Sequence, residues 1–328
     1  MSKKINNNLI KTEGPKNDGV VLSVKNITKV FGNRVAVNNI TFNVREGEIF
    51  GLLGPNGAGK TTTMKMICGL TKITRGEIFV CGNNVAKNKE KSLQNIGAII
   101  ENPLMYTYMS GYDNLKYYAS LYKNISKKDI ISVARIVGLE YRLKDKVSTY
   151  SLGMRQRLGI CQALLHHPKL LILDEPLSGL DPAGVKEVRD FLKFIAQKQK
   201  IAILISSHML GEMERLCDTI AIINNGKLIE IKTLKQLQEG QENSKKIKIM
   251  VNLPNFAGKI IINELQHKVE IAGNSVIVYA NQTEVPKITN KLIEYGISVF
   301  GIEIIYKSLE QIFMEIMNSV NKGSTSIN

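Results

Sequence analysis

The chain has 328 residues, of which 44% are hydrophobic and 22% are charged, as is ordinary for a globular protein with a substantial core. No apolar run approaches the roughly 18 residues that a membrane helix needs, and the N-terminal stretch lacks the apolar segment of a signal peptide. These features favour a cytoplasmic protein. The net charge is +15, and the basic residues are scattered along the chain rather than gathered in one block. This distribution favours an ordinary solvated surface first, attraction to an acidic membrane or a membrane partner second, and binding of nucleic acid least.

The predicted elements divide the chain into three regions. Residues 1–19 are polar without an apolar period, which predicts a disordered tail. Residues 20–240 carry strand-like runs at 20–24, 40–44, 170–173 and 201–205, alternating with helical patterns, and the segment from about 104 to 167 has a helical period. Short, nearly all-apolar strands alternating with helices predict a parallel sheet covered on both faces. The polar stretch 236–245 is a predicted linker.

The region 241–328 has a different element order. We expect strands at 247–251, 269–271, 275–279 and 299–304, with a helix after the first, another at 284–295 and a last one at 309–317. That order predicts a small split βαβ domain of the α+β class. It contains no obvious chemical residues. The four cysteines of the whole chain are far apart, which predicts small buried side chains rather than disulfides or a metal site.

One stretch fits the phosphate-loop pattern G-x-x-x-x-G-K-[ST] and lies between an apolar strand-like run and a run that can form a helix. Successive backbone N–H groups of such a loop, with the positive helix N-terminus, form a cradle for a phosphate. We expect Lys60 to reach the β- and γ-phosphates, in binding and in catalysis, and the Thr61 hydroxyl to hold Mg²⁺. The predicted nucleotide-binding residues here are Gly54, Pro55, Asn56, Gly57, Ala58, Gly59, Lys60, Thr61 and Thr62.

A phosphate loop needs a carboxylate on the other side of the metal, at the end of a buried strand. The run 170–173 ends in Asp174 and Glu175. We therefore expect Asp174 to bind Mg²⁺, directly or through water, and Glu175 to accept a proton from an attacking water.

Further motifs carry a family resemblance. Residues 150–157, Tyr-Ser-Leu-Gly-Met-Arg-Gln-Arg, resemble the signature segment of ATP-binding cassette (ABC) proteins, commonly L-S-G-G-Q-x-Q-R. The motif order over residues 20–240 is also similar to that family: Phe31, the phosphate loop, the signature, Asp174-Glu175, residues 178–181 and His208. The resemblance implies an ABC nucleotide-binding domain of the P-loop NTPase class, α/β with a helical insert, followed by the small α+β domain.

The resemblance implies an ATP site shared between two chains. Ser151 and Gly153 would meet the γ-phosphate of ATP held by a second copy, and Asp181 would lie across that interface. His208 would contact the γ-phosphate and steady the attacking water, and Phe31 would stack on adenine. The alternative to adenine stacking is that Phe31 is an aromatic side chain of the hydrophobic core. ATP and Mg²⁺ are the implied cofactors, and a homodimer is the implied assembly.

Three positions depart from the family pattern. Leu152 and Met154 replace a glycine and a glutamine of the signature. Glu101 stands where the family usually has a glutamine that touches Mg²⁺ and the water. A carboxylate still offers oxygen to a metal, so Glu101 is a predicted metal ligand, with turnover kept but its metal dependence changed.

The phrase Ile-Gly-Ala-Ile-Ile-Glu-Asn-Pro at residues 96–103 and the small C-terminal domain are similar to the bacitracin and lantibiotic-protection branch of bacterial ABC transporters. That resemblance implies a subunit at the inner face of the membrane that drives separate permease chains to export or remove a peptide antibiotic or similar compound. Five tyrosines follow Glu101 and suit either a groove for the membrane subunit or the core of the helical insert: Tyr106, Tyr108, Tyr112, Tyr117 and Tyr118.

Two other functions stay open from the sequence. One is a soluble ABC-type ATPase without a membrane partner, working on ribosomes, DNA or cofactor assembly. The chain has neither the two cassettes of the ribosomal type nor the long coiled coils of the chromosomal type. The other is a nucleotide-operated regulatory module with negligible turnover, against which Glu175 argues.

Overall fold

The computed structural model describes residues 19–101, 103–236 and 246–305. The predicted tail before residue 19, the linker residues 237–245 and the helix expected at 309–317 lie outside the described residues. The chain divides into two compact units, one ending at Ile231 and the other starting at Lys232. Within the described residues, no helix is both long and apolar enough to cross a bilayer.

The elements of the first unit follow one another along the chain in this order: β1 (Val20–Phe31), β2 (Arg34–Arg45), β3 (Ile49–Leu53), α1 (Lys60–Ile67), β4 (Arg75–Val80), β5 (Asn83–Asn84), α2 (Lys89–Leu93), β6 (Ile96–Ile99), α3 (Gly111–Ala119), α4 (Lys127–Ile136), 3-10 turns Glu140–Arg142 and Val147–Thr149, α5 (Leu152–Leu164), β7 (Leu170–Leu173), α6 (Pro182–Gln199), β8 (Ala202–Ser207), α7 (Leu210–Leu216), β9 (Thr219–Asn224) and β10 (Lys227–Thr233).

A four-stranded antiparallel sheet has the order β2-β1-β4-β5. In β2 the buried residues are Val37, Ile40, Phe42 and Val44, and from Ile40 onward they alternate with exposed ones, so one face of this strand packs on the core. The strands β1 and β2 are longer than the runs predicted at 20–24 and 40–44. The longer β1 places Phe31 at its very end.

A six-stranded sheet has the order β10-β9-β3-β8-β7-β6. Its strands β9, β3, β8, β7 and β6 pair in parallel, and β3, β7, β8 and β9 are buried along their whole length. Continuous apolar strands form because both faces of such a sheet are covered. One face packs in a common core with α1 and the antiparallel sheet, where Phe50 stacks on Phe42, so the cover is not made by helices alone as predicted. The carboxyl ends of parallel strands meet at one edge, so the residues after β3, β6, β7 and β8 come together there.

The segment between β6 and β7 is helical in its described residues, with α3, α4 and α5 packed on one another. Each helix starts at a serine whose hydroxyl accepts a backbone N–H three residues on: Ser110, Ser126 and Ser151. Ser126 forms a full capping box with Asp129.

The second unit contains β11 (Lys246–Val251), α8 (Pro254–Leu265), β12 (Val269–Ala272), β13 (Ser275–Tyr279), a 3-10 turn (Gln282–Glu284), α9 (Val285–Glu294) and β14 (Val299–Ile305). The antiparallel sheet order is β12-β13-β11-β14, the split βαβ arrangement that the sequence predicts. One sheet face and the two helices enclose an apolar core that includes Ile247, Ile249 and Val276. The other face carries ion pairs of Lys246 with Glu270 and of Lys248 with Glu303.

Candidate nucleotide-binding site

The phosphate loop connects β3 to α1 and depends on glycine at two close approaches. A Cβ on Gly54 would lie 2.2 Å from the carbonyl oxygen of Ile223, and one on Gly59 would lie 2.8 Å from that of Ala36. Gly59 also has a φ of 107°, in the left-handed region. The loop therefore packs directly against neighbouring backbone and turns into α1, whose first N–H groups are open for an anion.

The Lys60 side chain is buried at the centre of this loop, with 6% of its surface exposed. Its ammonium donates to the carbonyl oxygens of Gly54, at 2.7 Å, and Pro55, at 3.2 Å. It also lies 3.3 Å from Oε1 of Glu175. A phosphate oxygen entering the loop would compete with the Glu175 carboxylate for this one cation.

A hydroxyl and a carboxylate meet on the metal side of the loop. The Thr61 hydroxyl donates to Oδ2 of Asp174 at 2.7 Å, and the Ser206 hydroxyl donates to its Oδ1 at 2.5 Å. Hard oxygen donors of this kind suit Mg²⁺, which usually takes only one or two protein ligands beside phosphate oxygens and water. Among the described residues, no group of three or more His, Cys, Asp or Glu is arranged to hold a metal ion by itself.

Glu175 has a φ of 49°, an uncommon value for a residue other than glycine. Its backbone N–H donates to the Ser206 hydroxyl at 2.9 Å, and its Oε2 lies 2.9 Å from Nδ1 of His208. The strained turn directs the carboxylate away from Asp174 and toward Lys60 and His208. The lysine and the histidine together fix the position of this carboxylate, which can act as a general base once Lys60 is engaged by a phosphate.

A cavity of about 430 Å³ runs from the phosphate loop to the end of β1. Its lining includes Phe31, Arg34, Glu175 and loop residues 56–62. The Phe31 side chain is 50% exposed, so the alternative of a core aromatic is wrong. The Lys29 ammonium lies 4.6 Å from the Phe31 ring centroid, and the exposed ring can stack with a base.

Glu101 follows β6 at the same sheet edge, yet its described contact is with α1. Its Oε1 accepts from the Lys65 ammonium at 2.8 Å, and this ion pair lowers the pKa of the Glu101 carboxyl. The side chain is 69% exposed and is not part of the cavity lining. The structure thus places Glu101 on a lysine rather than with Thr61 and Asp174.

Ser151, Gly153 and Asp181 are absent from the cavity lining of their own chain. Ser151 is exposed and caps α5, accepting from the Met154 N–H at 3.2 Å. Asp181, also exposed, caps α6 by accepting from the Gly184 N–H at 3.0 Å. The structure therefore brings the phosphate-loop residues, Asp174, Glu175 and His208 together and leaves the signature residues outside that group.

Sequence reasoning missed three residues of this region: Ser206, Arg34 and Lys65. Ser206 bridges Asp174 and the Glu175 backbone. The sequence does contain a pattern that marks Ser206: Ser206 and Ser207 are the polar end of an otherwise apolar strand that leads to His208. No local pattern marks Lys65, whose partner lies 36 positions along the chain.

The fold and the loop define a phosphate-loop nucleotide-binding protein, and comparisons with known proteins narrow the class. The family described as "ABC transporter" matches residues 37–178. The chain is 44% identical over 296 residues to the uncharacterised ABC transporter ATP-binding protein YhcH of Bacillus subtilis (strain 168), covering 90% of this chain and 95% of that one.

Two further comparisons agree. The chain is 39% identical to the bacitracin transport ATP-binding protein BcrA of Bacillus licheniformis over 305 residues, which are 92% of this chain and 99% of that one. A solved structure of an ABC transporter ATP-binding subunit superposes with a TM-score of 0.60 at 32% identity, covering 67% of this chain and 92% of that one. The chain belongs to the ABC transporter family and is an ATP-binding, ATP-hydrolysing subunit of that family.

Proposed function

We propose that two copies of this chain close on ATP and drive separate membrane subunits that export or remove a peptide antibiotic or a similar amphipathic compound. The subunit acts at the inner face of the membrane. Likeness to BcrA, a bacitracin transport protein, over almost the whole of both chains supports this class of cargo.

The observation that carries the dimer is that the signature residues do not line the cavity of their own chain. The cavity is lined by the phosphate loop, Phe31 and Glu175, while Ser151 and Gly153 lie outside its lining. Ser151 opens the thirteen-residue helix α5 and is exposed, so its helix N-terminus is available to an anion carried by another molecule. A second copy supplies such an anion in its own phosphate loop.

The residues around the cavity divide the chemistry among them. Thr61 and Asp174 would hold Mg²⁺, which would neutralise charge on the phosphates. A phosphate of ATP binds the Lys60 ammonium, which then no longer pairs with Glu175. The Glu175 carboxylate accepts a proton from water while the water oxygen forms a bond to the γ-phosphorus. The bond between the γ-phosphorus and the β-phosphate oxygen breaks at the same time. His208, 2.9 Å from Glu175, orients that carboxylate and the water.

The exposed tyrosines support a docking surface for the membrane subunit. The side chains of Tyr106, Tyr108 and Tyr117 are 39%, 71% and 47% exposed, so the core alternative is wrong for these three. Tyr106 packs edge-to-face on Tyr108 and on Tyr117, with centroids 5.9 and 5.4 Å apart. Rigid, half-exposed aromatics of this kind are enriched at interfaces.

The substitution Glu175→Gln tests the motor. We expect ATP turnover to fall by at least about 100-fold, because the general base is lost. ATP-dependent dimers should accumulate in size-exclusion chromatography with light scattering. Glu294→Gln, at an exposed carboxylate of the second unit, is the matched control and should behave as the wild type. Turnover that persists in Glu175→Gln, or a chain that stays monomeric with ATP, contradicts the proposal.

The membrane partner is tested by co-purification with membrane proteins from cells that express the tagged chain. Tyr106→Ala with Tyr108→Ala should abolish capture of the membrane subunit without lowering ATP affinity. Tyr141→Ala is the matched control, since Tyr141 is 93% exposed and belongs to none of the tyrosine pairs described above. Unchanged capture by the double variant would mean that these tyrosines are not the docking surface. A wild-type chain that captures no membrane subunit would favour the soluble ATPase.

A further inference from the structure

Glu101 brings a third carboxylate to an edge that already holds two. The Asp174 N–H donates to the carbonyl oxygen of Ile99, two residues before Glu101, so the ends of β6 and β7 are fixed side by side. Bound ATP would add its phosphate charges at the same edge. Like charges at such range repel, and the strength of that repulsion depends on where the Glu101 carboxylate is held.

Lys65 fixes the direction of that carboxylate. It lies on α1 four residues after Thr61, about one helical turn (~6 Å) further from the phosphates. Its ammonium is 2.8 Å from Oε1 of Glu101, and its side chain as a whole is 36% exposed. Glu101 has a φ of 70°, in the left-handed region, so its backbone too adopts a particular turn at the end of β6.

We propose that Lys65 is a positioning residue that holds the Glu101 carboxylate on α1, away from the oxygens of Thr61 and Asp174. The pairing offsets the charge of Glu101 and keeps it from becoming a further metal ligand. It thereby sets how strongly ATP binding depends on Mg²⁺. This inference rests on the ATP site of the proposed function, but not on hydrolysis, dimer formation or a membrane partner.

Loss of Lys65 has two effects in this account. Without Lys65, the Glu101 carboxylate turns toward Thr61 and Asp174 and repels the phosphates of metal-free ATP. For one unit charge roughly 10 Å from a phosphate charge, at an effective dielectric constant of about 50, this repulsion weakens ATP binding about threefold. The same carboxylate adds an oxygen ligand when Mg²⁺ is present and strengthens that complex. The ratio of ATP dissociation constants in EDTA and in Mg²⁺ should therefore rise.

A double-mutant cycle on the full-length chain measures this ratio by displacement of a fluorescent ATP analogue. Lys65→Met should raise the ratio at least about threefold when Glu101 is present. In the Glu101→Gln background, the same Lys65→Met change removes one unit of charge without freeing a ligand, so it should raise the ratio by less than half as much as it does when Glu101 is present. Lys65→Arg should restore the wild-type ratio, since it keeps the cation.

Two controls separate positioning from other effects. Lys87→Met removes another exposed cation, which is 3.6 Å from Glu77, and should leave the ratio unchanged. The urea midpoint of every variant should match that of Lys87→Met, because exposed ion pairs contribute little to stability. If Lys65→Met changed the ratio equally with Glu101 and with Gln at position 101, the proposal would be overturned. Lys65 would then act only through its own positive charge. The proposed function would survive that result, because the Glu175→Gln and dimer measurements do not depend on it.

Discussion

Ser206 gives the sharpest test of how the site is built. It is fully buried, and its hydroxyl donates to Asp174 and accepts from the Glu175 N–H. Ser206→Ala removes a hydrogen bond to a charged acceptor, worth about 1.5–3 kcal/mol, and leaves a partly buried N–H unpaired at about 1–3 kcal/mol. With some relaxation, we expect the free energy of unfolding to fall by about 3 kcal/mol.

Urea denaturation of the full-length chain measures that loss as a shift in midpoint without a change in slope. Ser207→Ala is the matched control, since the Ser207 hydroxyl accepts from the N–H of Met209, a residue with 49% of its surface exposed. That bond joins two neutral groups and is part-buried, so we expect a loss of about 1 kcal/mol. ATP turnover should fall about 10- to 100-fold in Ser206→Ala, because Asp174 and Glu175 lose their common support, and stay near the wild-type rate in the control. Equal losses of stability in the two variants would refute the bridging role.

Three further predictions concern other parts of the first unit. Gly54→Ala should abolish ATP binding in the fluorescence assay, because its Cβ would lie 2.2 Å from a carbonyl oxygen of β9. The control Gly211→Ala, with open space around its Cβ, should bind ATP as the wild type does. Lys29→Met should weaken ATP binding about two- to fivefold, because it removes the cation–π interaction that holds the Phe31 ring in place. Phe31→Ala should weaken ATP binding about tenfold, because it removes the ring that stacks on the base. Burial lowers the pKa of His166 below its usual 6.5, so the unfolded chain takes up the proton first and stability falls as pH drops below about 7. His166→Gln should make the urea midpoint nearly independent of pH between pH 7.5 and 5.5. If the midpoint of the variant still fell with pH as in the wild type, His166 would not be the group responsible.

The parts of the fold that sequence could predict are those that depend on neighbours in the chain. The runs 170–173 and 201–205 read as buried strands because four or five consecutive apolar residues need cover on both faces, and the structure has β7 and β8 there. The phosphate loop was equally clear, since its glycines, Lys60 and Thr61 are contiguous. The length of β1 was missed because its later half mixes polar and apolar residues, and pairing with β2 and β4 decides its extent.

Contacts between distant positions could not be predicted in the same way. Asp174 was found because it ends an apolar strand, but its partner Ser206 lies 32 positions away on the neighbouring strand. Glu101 was assigned to a metal from its place in the family pattern, and only the three-dimensional structure shows that its carboxylate pairs with Lys65. Both cases have one cause: side chains at the edge of a parallel sheet meet through strand order, which local periodicity does not encode.

The signature departure at Leu152 also acquires a physical reading. Leu152 is 40% exposed, and its Cδ2 would be 3.2 Å from a Cβ placed on Gly179, which has a φ of 75°. The leucine therefore extends toward the loop 178–181 of its own chain. Its side chain leaves Ser151 and Gly153 unobstructed: the nearest atoms to a Cβ on Gly153 are Leu180 Cδ2, at 3.8 Å, and Ser151 Oγ, at 4.0 Å. A larger residue at position 152 is thus compatible with the approach of a phosphate to the start of α5, and the half-site proposed for the dimer does not require glycine there.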